Sequence, residues 1–415
     1  MDVLLKLNDF FKSRFNIIIT VDLILLLVTL YMFLISPFNP IPAYSFLEGR
    51  NRFMDFFNHI AYCEDLSNTY YVNYNANFPP FAYMFYKFFR FALPSDQIVM
   101  FHSTAMGPGA LLVFVIYNVI LFSLIQFNVI AYDNNSIQAK LIFLLFVVSY
   151  PTVFGVVERG NAAGIVLMML LGACRLRDSN SKVDREVALL LIAMAAGFKV
   201  YPAVMGFLYV AEKRFKEATR LLLYGIVIFF GPFVLLGGYE GFLQFINNQM
   251  TLHNGDTTLS ISIIGIIQVF YKGENYSKIN LVISMLFLIM VLFSFILTTS
   301  KWKRVAMLVG IMTLIPKWSQ PYTFVYYLVP LLMYACDKEK LRRVDYLYSF
   351  MFALINSSFL VNAFVGGKYL GAWLPIIGSY LLIFTIIGDE FWNGLFKNIK
   401  IHVKEEKKWI KQISN

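Results

Sequence analysis

The stretch VALLLIAMAAGFKVYPAVMGFLYV, residues 187–210, is apolar throughout except for Lys199 near its middle. It has the length of one membrane-spanning helix, which needs about 17–25 apolar residues. The flanking charges argue against a single crossing. Arg175, Arg177, Lys182 and Arg185 precede it, and Lys213, Arg214, Lys216 and Arg220 follow it. Because Lys and Arg concentrate on the cytoplasmic side, both ends belong on one side, and a single crossing would invert every later loop. Two helices of about 12 apolar residues, each about 18 Å long, meeting at Gly197–Pro202, satisfy the charges. A hairpin that short is tolerated only if its tip is buried in protein or lines a cavity.

The whole chain fits a membrane setting. Of its 415 residues, 59% are hydrophobic and 14% charged, and the mean hydropathy is +0.64, whereas soluble domains carry about 25% charged residues. Apolar spans are expected at 17–36, 107–131, 137–157, 160–174, 186–198, 200–211, 218–237, 279–299, 304–316, 321–336, 345–365 and 371–388. The expected fold is thus one all-α polytopic membrane domain over 1–415, with about 12 transmembrane helices including the short hairpin. The first run, IIITVDLILLLVTLYMFLI (17–35), is too long for a signal-peptide core and counts as a span. With both termini cytoplasmic, 25 of the 35 Lys and Arg fall inside. The formal charge of +10 is therefore spent on orientation and does not call for nucleic acid. Cys63, Cys174 and Cys336 are scattered without metal or redox spacing. No internal repeat supports an inverted-repeat transporter.

Two outer loops, 37–106 and 238–278, interleave aromatic and polar sequence. In the first, Glu48, Arg52, Asp55 and His59 recur at helical spacing, which predicts an interfacial helix with a polar stripe, while Phe46, Phe53, Phe57 and Ile60 fall elsewhere. NFPPFAYMFYKFFRFAL (77–93) reads as a second helix begun by Pro79 and Pro80. In the second loop, SISIIGIIQVFYKG (260–273) predicts a short interfacial helix. The basic tail, 390–415, reads as a cytoplasmic surface helix near anionic lipid.

Four features could carry chemistry. Asp55, outside the membrane, can serve as a general base, or merely pair with Arg52 or His59; His59 in turn could orient Asp55 or share its proton. Lys199 sits at membrane depth, where an ionised lysine costs about 2.5–3.5 kcal/mol and generally faces a polar cavity; an ammonium there suits a phosphate, and snorkelling is its structural alternative. The corner YPTVFGVVERGNAAG (150–164) places Glu158, Arg159 and Asn161 between two apolar runs, either as a turn whose Glu and Arg pair or as a guanidinium beside Lys199. LIPKWSQPYTFVYYLVP (314–330) brings Lys317, Gln320, Tyr322, Tyr326 and Tyr327 to another outer corner. The P-loop, HExxH and GxSxG patterns do not occur. No cofactor is called for, no metal ligands stand out, and divalent-metal dependence stays open.

Taken in order, MDFFNHIAY, NFPPFAY, VERGN, GFKVYP, NNQMTLHNGDTTLSISIIG with His253, and WSQPYTFVYYLVP resemble glycosyltransferase family 87, the polyprenol-phosphate-mannose-dependent mannosyltransferases of the GT-C class. The resemblance implies inverting transfer of a sugar, typically mannose, from a polyprenyl-phosphate donor to a hydroxyl of a glycan or glycolipid acceptor. Transfer would take place at the outer face of the cell (plasma or inner) membrane. It makes Asp55 the catalytic aspartate and gives Lys199, Arg159 and Lys317 the donor phosphate. His59, Arg52, Glu158, Asn161, His253, Gln320 and Tyr326 are then candidate acceptor or sugar contacts. Where some members carry histidine in the late outer segment, this chain has Tyr326 and Tyr327. The alternatives are a polysaccharide polymerase or ligase using lipid-pyrophosphate donors and a secondary transporter of an anionic or lipid-linked solute.

Overall fold

A computed structural model describes residues 13–35, 53–93, 108–133, 136–253, 260–271, 273, 276–360, 364–365 and 368–413. Its helices are α1 (Arg14–Ile35), α2 (Met54–Tyr62), α3 (Pro80–Ala92), α4 (Pro108–Tyr132), α5 (Ile137–Val147), α6 (Ala163–Leu176), α7 (Lys182–Phe198) and α8 (Phe207–Ala211). They continue with α9 (Phe215–Phe230), α10 (Gly238–His253), α11 (Ile263–Phe270), α12 (Tyr276–Leu297), α13 (Lys301–Leu314), α14 (Leu328–Ala335), α15 (Arg343–Ile355) and α16 (Leu370–Ile413). A π-helix (Pro151–Glu158) precedes α6, and 3₁₀ turns lead into α8 (Tyr201–Gly206) and α14 (Pro321–Tyr327). The β-structure described is one antiparallel pair, with Phe364 opposite Tyr369 and Val365 opposite Lys368.

The architecture is all-helical and polytopic, but the helices divide into two kinds. Among the described residues, five are long and apolar enough to cross a bilayer: α1, α4, α9 with the 3₁₀ turn that follows it (Gly231–Val234), α12 and the first half of α16. A sixth is counted if α5 and the π-helix, bent by 64°, form one span. Twelve is therefore the number of apolar segments and not of helices with spanning length. The shorter ones lie inside: α6 and α13, 14 residues each, are buried on nearly every face, whereas α4, α9 and α12 expose Leu, Ile, Val and Phe over most of their surface. At 1.5 Å per residue, 14 residues reach only about 21 Å. Such a helix can stay short because protein surrounds it.

Three expected segments are corrected. The span 137–157 is broken at Val148–Tyr150, where Pro151 cannot donate an N–H and the Ser149 hydroxyl turns back to the Phe146 carbonyl at 2.7 Å. The span 345–365 is helical only through Ile355. The basic tail forms no separate element from Phe391: α16 runs unbroken from the last apolar segment to Ile413, and beyond Trp392 only its backbone is described.

The hairpin is present. α7 begins at Lys182, where the Ser181 hydroxyl accepts the Asp184 N–H at 3.3 Å, and ends at Phe198. Lys199 is extended (φ −146°, ψ 132°). Pro202 has no N–H to give the Phe198 carbonyl, so the helix cannot continue through it. The chain then returns through the 3₁₀ turn and α8. Its two ends lie together: Arg177 pairs with Glu212, and Arg214 reaches Asp178 at 3.0 Å and the Arg177 carbonyl at 2.9 Å. Lys301 joins Asp178 at 2.7 Å, Lys303 joins Asp389 at 2.6 Å, Arg342 reaches Asp389 at 3.0 Å and Arg14 reaches Asp345 at 3.4 Å. These residues come from segments whose basic residues the sequence places in the cytoplasm, and one end of the bundle collects them.

The hairpin predicts a labelling pattern. Asn180 and Lys216 are exposed at its two ends. Single cysteines at these positions, in a background lacking the native cysteines, should react with an impermeant maleimide from the same side of the membrane. Reaction from opposite sides would mean that 187–210 crosses.

Candidate active site

At the opposite end of the bundle, α2 is fastened to the corner that follows the π-helix. The Phe53 N–H donates to the Glu158 carbonyl at 2.6 Å and the Asp55 N–H to the Arg159 carbonyl at 2.9 Å. The Asp55 carboxylate, in the first turn of α2 and 15% exposed, accepts from Arg159 Nη2 at 2.9 Å, Arg159 Nε at 3.2 Å and Asn161 Nδ2 at 2.6 Å. Asn161 is itself fixed, its Oδ1 accepting the Ala163 N–H at 3.0 Å. Gly160 makes the approach possible. Its φ is +66°, and a Cβ there would lie 2.7 Å from Phe56 Cβ. Phe53 also adopts positive φ (55°), and its ring packs on Phe114 at 4.1 Å. At the far end of α2, the Lys87 ammonium donates to the Cys63 and Glu64 carbonyls, both at 3.0 Å, complementing the helix terminus.

The hairpin tip completes the site. The Lys199 side chain, 7% exposed, lies over Tyr322 at 4.7 Å, Phe78 at 4.8 Å and Tyr201 at 5.9 Å. Among the described residues no carboxylate pairs with it. Aromatic faces stabilise a desolvated ammonium by about 2 kcal/mol and leave its N–H donors available. Tyr322 belongs to the late outer corner, which packs on the π-helix because Gly155 is bare: a Cβ there would fall 2.1 Å from Tyr322 Cβ. The Tyr326 hydroxyl meets that of Tyr201 at 3.1 Å, tying the same corner to the hairpin tip. The outer loops close over this assembly, the Asn248 amide donating to the Tyr70 and Ala76 carbonyls at 2.8 and 3.0 Å.

Electrostatics distinguish Asp55 from His59 on α2. Burial would raise the Asp55 carboxyl, but the Arg159 charge and the hydrogen bonds from Arg159 and Asn161 outweigh it and hold Asp55 below the ordinary carboxylate range. His59 is pushed down to about 3, first by burial and further by Lys199, against the pull of Asp55. His59 is neutral at physiological pH.

The structure thus brings together Asp55, His59, Glu158, Arg159, Asn161, Lys199, Tyr322 and Tyr326. Arg159 pairs with Asp55 across the site, and Glu158 is buried. His59 does not hydrogen-bond Asp55. Its ring is buried against Phe78 and Tyr86, with Nδ1 3.3 Å from the Tyr83 hydroxyl. The expected polar stripe of an interfacial helix is therefore an inward face, and the helix begins only at Met54. Lys317 and Gln320 lie in the late outer corner, where the Lys317 carbonyl accepts from Ser262 at 3.4 Å and the Gln320 carbonyl from the Thr323 N–H at 2.9 Å. Glu48, Phe46 and Arg52 lie outside the described residues, as does the side chain of His253. Phe78, Tyr83 and Tyr201 were not singled out as site residues. Their signal was adjacency, Phe78 to the Pro-Pro helix start and Tyr201 to Lys199 in KVYP.

The family model of glycosyltransferase family 87 matches residues 77–316. This is more than half of the chain and takes in Phe78, Arg159, Asn161 and Lys199. No curated protein matches the chain.

Neutral burial of His59 has a measurable consequence. Between its folded value of about 3 and the unbound 6.5, the unfolded chain binds the proton and the folded chain does not, so stability falls as pH drops through that window. Asp55, held below 3.8, loses its contribution only at lower pH. Thermal unfolding in detergent from pH 7 to 4.5 should lower the Tm of the wild type more than that of His59→Gln. Equal slopes would contradict a neutral buried His59.

Proposed function

The chain belongs to glycosyltransferase family 87 and is a membrane glycosyltransferase, and from that premise we propose that it transfers a sugar, typically mannose, from a polyprenyl-phosphate donor to an acceptor hydroxyl with inversion. The reading rests chiefly on one arrangement: a carboxylate paired with a guanidinium, and beside them a buried ammonium that no carboxylate among the described residues pairs with. Family membership sets aside the secondary transporter.

In this account the acceptor hydroxyl attacks the anomeric carbon as the bond to the phosphate oxygen breaks. Asp55 takes the hydroxyl proton. The leaving polyprenyl phosphate carries the released electron pair, and the fixed cations Lys199 and Arg159 stabilise its charge. Arg159 has a double role. While it pairs with Asp55, the carboxylate is a weak base; a donor phosphate that draws the guanidinium toward itself raises the proton affinity of Asp55. The donor accordingly binds first. These residues hold the phosphate through cations of the chain, and among the described residues no group of three or more His, Cys, Asp or Glu side chains forms a metal donor set. A polyprenyl donor is a membrane solute, which fits a site walled by short helices and interfacial α2 and α3. The twelve apolar segments, cytoplasmic termini and outer-face site in the cell membrane complete the reading, with a glycan or glycolipid as acceptor.

In reconstituted protein, Asp55→Asn should reduce sugar transfer from polyprenyl-phosphate mannose by about 10²–10⁴-fold, the usual contribution of a general base, in protein that remains folded. Full activity in that variant would remove Asp55 as the base. Lys199→Ala should raise the KM for the donor about tenfold or more, as loss of a charged hydrogen bond does, and leave the acceptor KM within about twofold. Equal, slight effects on both would return Lys199 to snorkelling.

A further inference from the structure

The imidazole of His59 is placed with one nitrogen committed and the other offered. The Tyr83 hydroxyl accepts the Phe78 N–H at 3.3 Å and lies 3.3 Å from His59 Nδ1, in reach to turn its own proton onto that nitrogen. A neutral ring whose Nδ1 accepts must carry its proton on Nε2. Among the described residues Nε2 has no partner. The ring is locked by stacking on Phe78, at 3.8 Å, and that same Phe78 ring lies 4.8 Å from the Lys199 ammonium. Along α2, His59 follows Asp55 by one turn, about 6 Å. It therefore stands beside both the proposed base and the proposed phosphate site. Two more polar groups border this place. The hydroxyls of Tyr62 and Tyr86, both buried and both within range of the Asp55 charge, have no hydrogen-bond partner among the described residues. A hydroxyl-rich ring between phosphate and base would answer all three groups.

We propose that His59 recognises the transferred sugar, its Nε2–H donating a hydrogen bond to a sugar hydroxyl oxygen, with Tyr83 fixing the tautomer and Tyr62 and Tyr86 completing the sugar-binding wall. This rests on the glycosyl-transfer reading above and adds to it a sugar-binding side chain on α2.

The test compares His59→Phe, which keeps the stacking and removes the donor, with His59→Gln, whose amide nitrogen falls where Nε2 stood. His59→Phe should lower kcat/KM for the polyprenyl-phosphate sugar by about 10- to 50-fold, the effect of one lost hydrogen bond in a buried site. It should change inhibition by polyprenyl phosphate lacking a sugar by less than about twofold, and His59→Gln should recover most of the loss. The proposal is overturned if His59→Phe stays within about threefold of wild type, if it weakens the sugar-free lipid equally, or if His59→Gln fails as badly as His59→Phe while both retain the wild-type Tm. Should His59→Phe not fold, His59→Gln and ¹⁵N spectra of histidine-labelled wild type and Tyr83→Phe decide. Wild type should show His59 protonated on Nε2 alone at pH 7, with Nδ1 changed in Tyr83→Phe; a doubly protonated ring would overturn the proposal. If the wild type moves no sugar from any polyprenyl phosphate, the functional reading fails, and the tautomer measurement still tests His59.

Discussion

The Asp55 carboxylate is held by three N–H donors from a single corner of the chain, Arg159 and Asn161, while the backbone of the same corner receives the Phe53 and Asp55 N–H groups. Much of the outer end depends on this clasp. A carboxylate 15% exposed and partnered on both oxygens fixes the rotation of α2, and with it the face on which His59 and Tyr62 fall. Glycine at 160 is required because the corner must come within a Cβ radius of Phe56. Glycine at 155 lets Tyr322, and through it the Lys199 ammonium, close on the same place. An ion pair this buried contributes little net stability, since desolvation offsets much of the attraction. What it supplies is geometry: a base, two cations and an aromatic wall in one register.

The two ends of the bundle use charge in opposite ways. At one, Arg177, Asp178, Glu212, Arg214 and Lys301 form one ion-pair network, and Lys303, Arg342 and Asp389 form another. At the other, Lys199 is surrounded by rings, with no salt-bridge partner among the described residues. The first arrangement closes a structure, and the second is suited to receive a ligand. The hairpin connects them, because its base lies in the network and its tip carries the lysine.

Much of this was legible in the sequence, for reasons that differ from residue to residue. The break at Lys199 followed from charge clusters on both sides of an apolar run, a signal that does not depend on knowing any contact. Asp55, Arg159 and Lys199 stood out because each is a charge in an apolar or aromatic setting. The pairing of Asp55 with Arg159, 104 residues apart, did not, because spacing reports only local neighbours. Helical periodicity gives His59 a face but not what covers it, and here α3 covers it with Tyr83 and Tyr86 and the segment just before α3 with Phe78. The number of spanning helices is not legible for a related reason: hydropathy cannot separate a helix whose apolar side chains stay exposed, such as α9, from one surrounded by protein, such as α13.

The most direct test of the central claim is a structure of the protein bound to a non-transferable polyprenyl-phosphate sugar. The account predicts the phosphate in hydrogen-bond contact with Lys199 Nζ and Arg159, the guanidinium turned from Asp55, and the anomeric carbon facing the freed carboxylate. A phosphate bound elsewhere, with the Asp55–Arg159 pair and the aromatic cage of Lys199 unchanged, would contradict it.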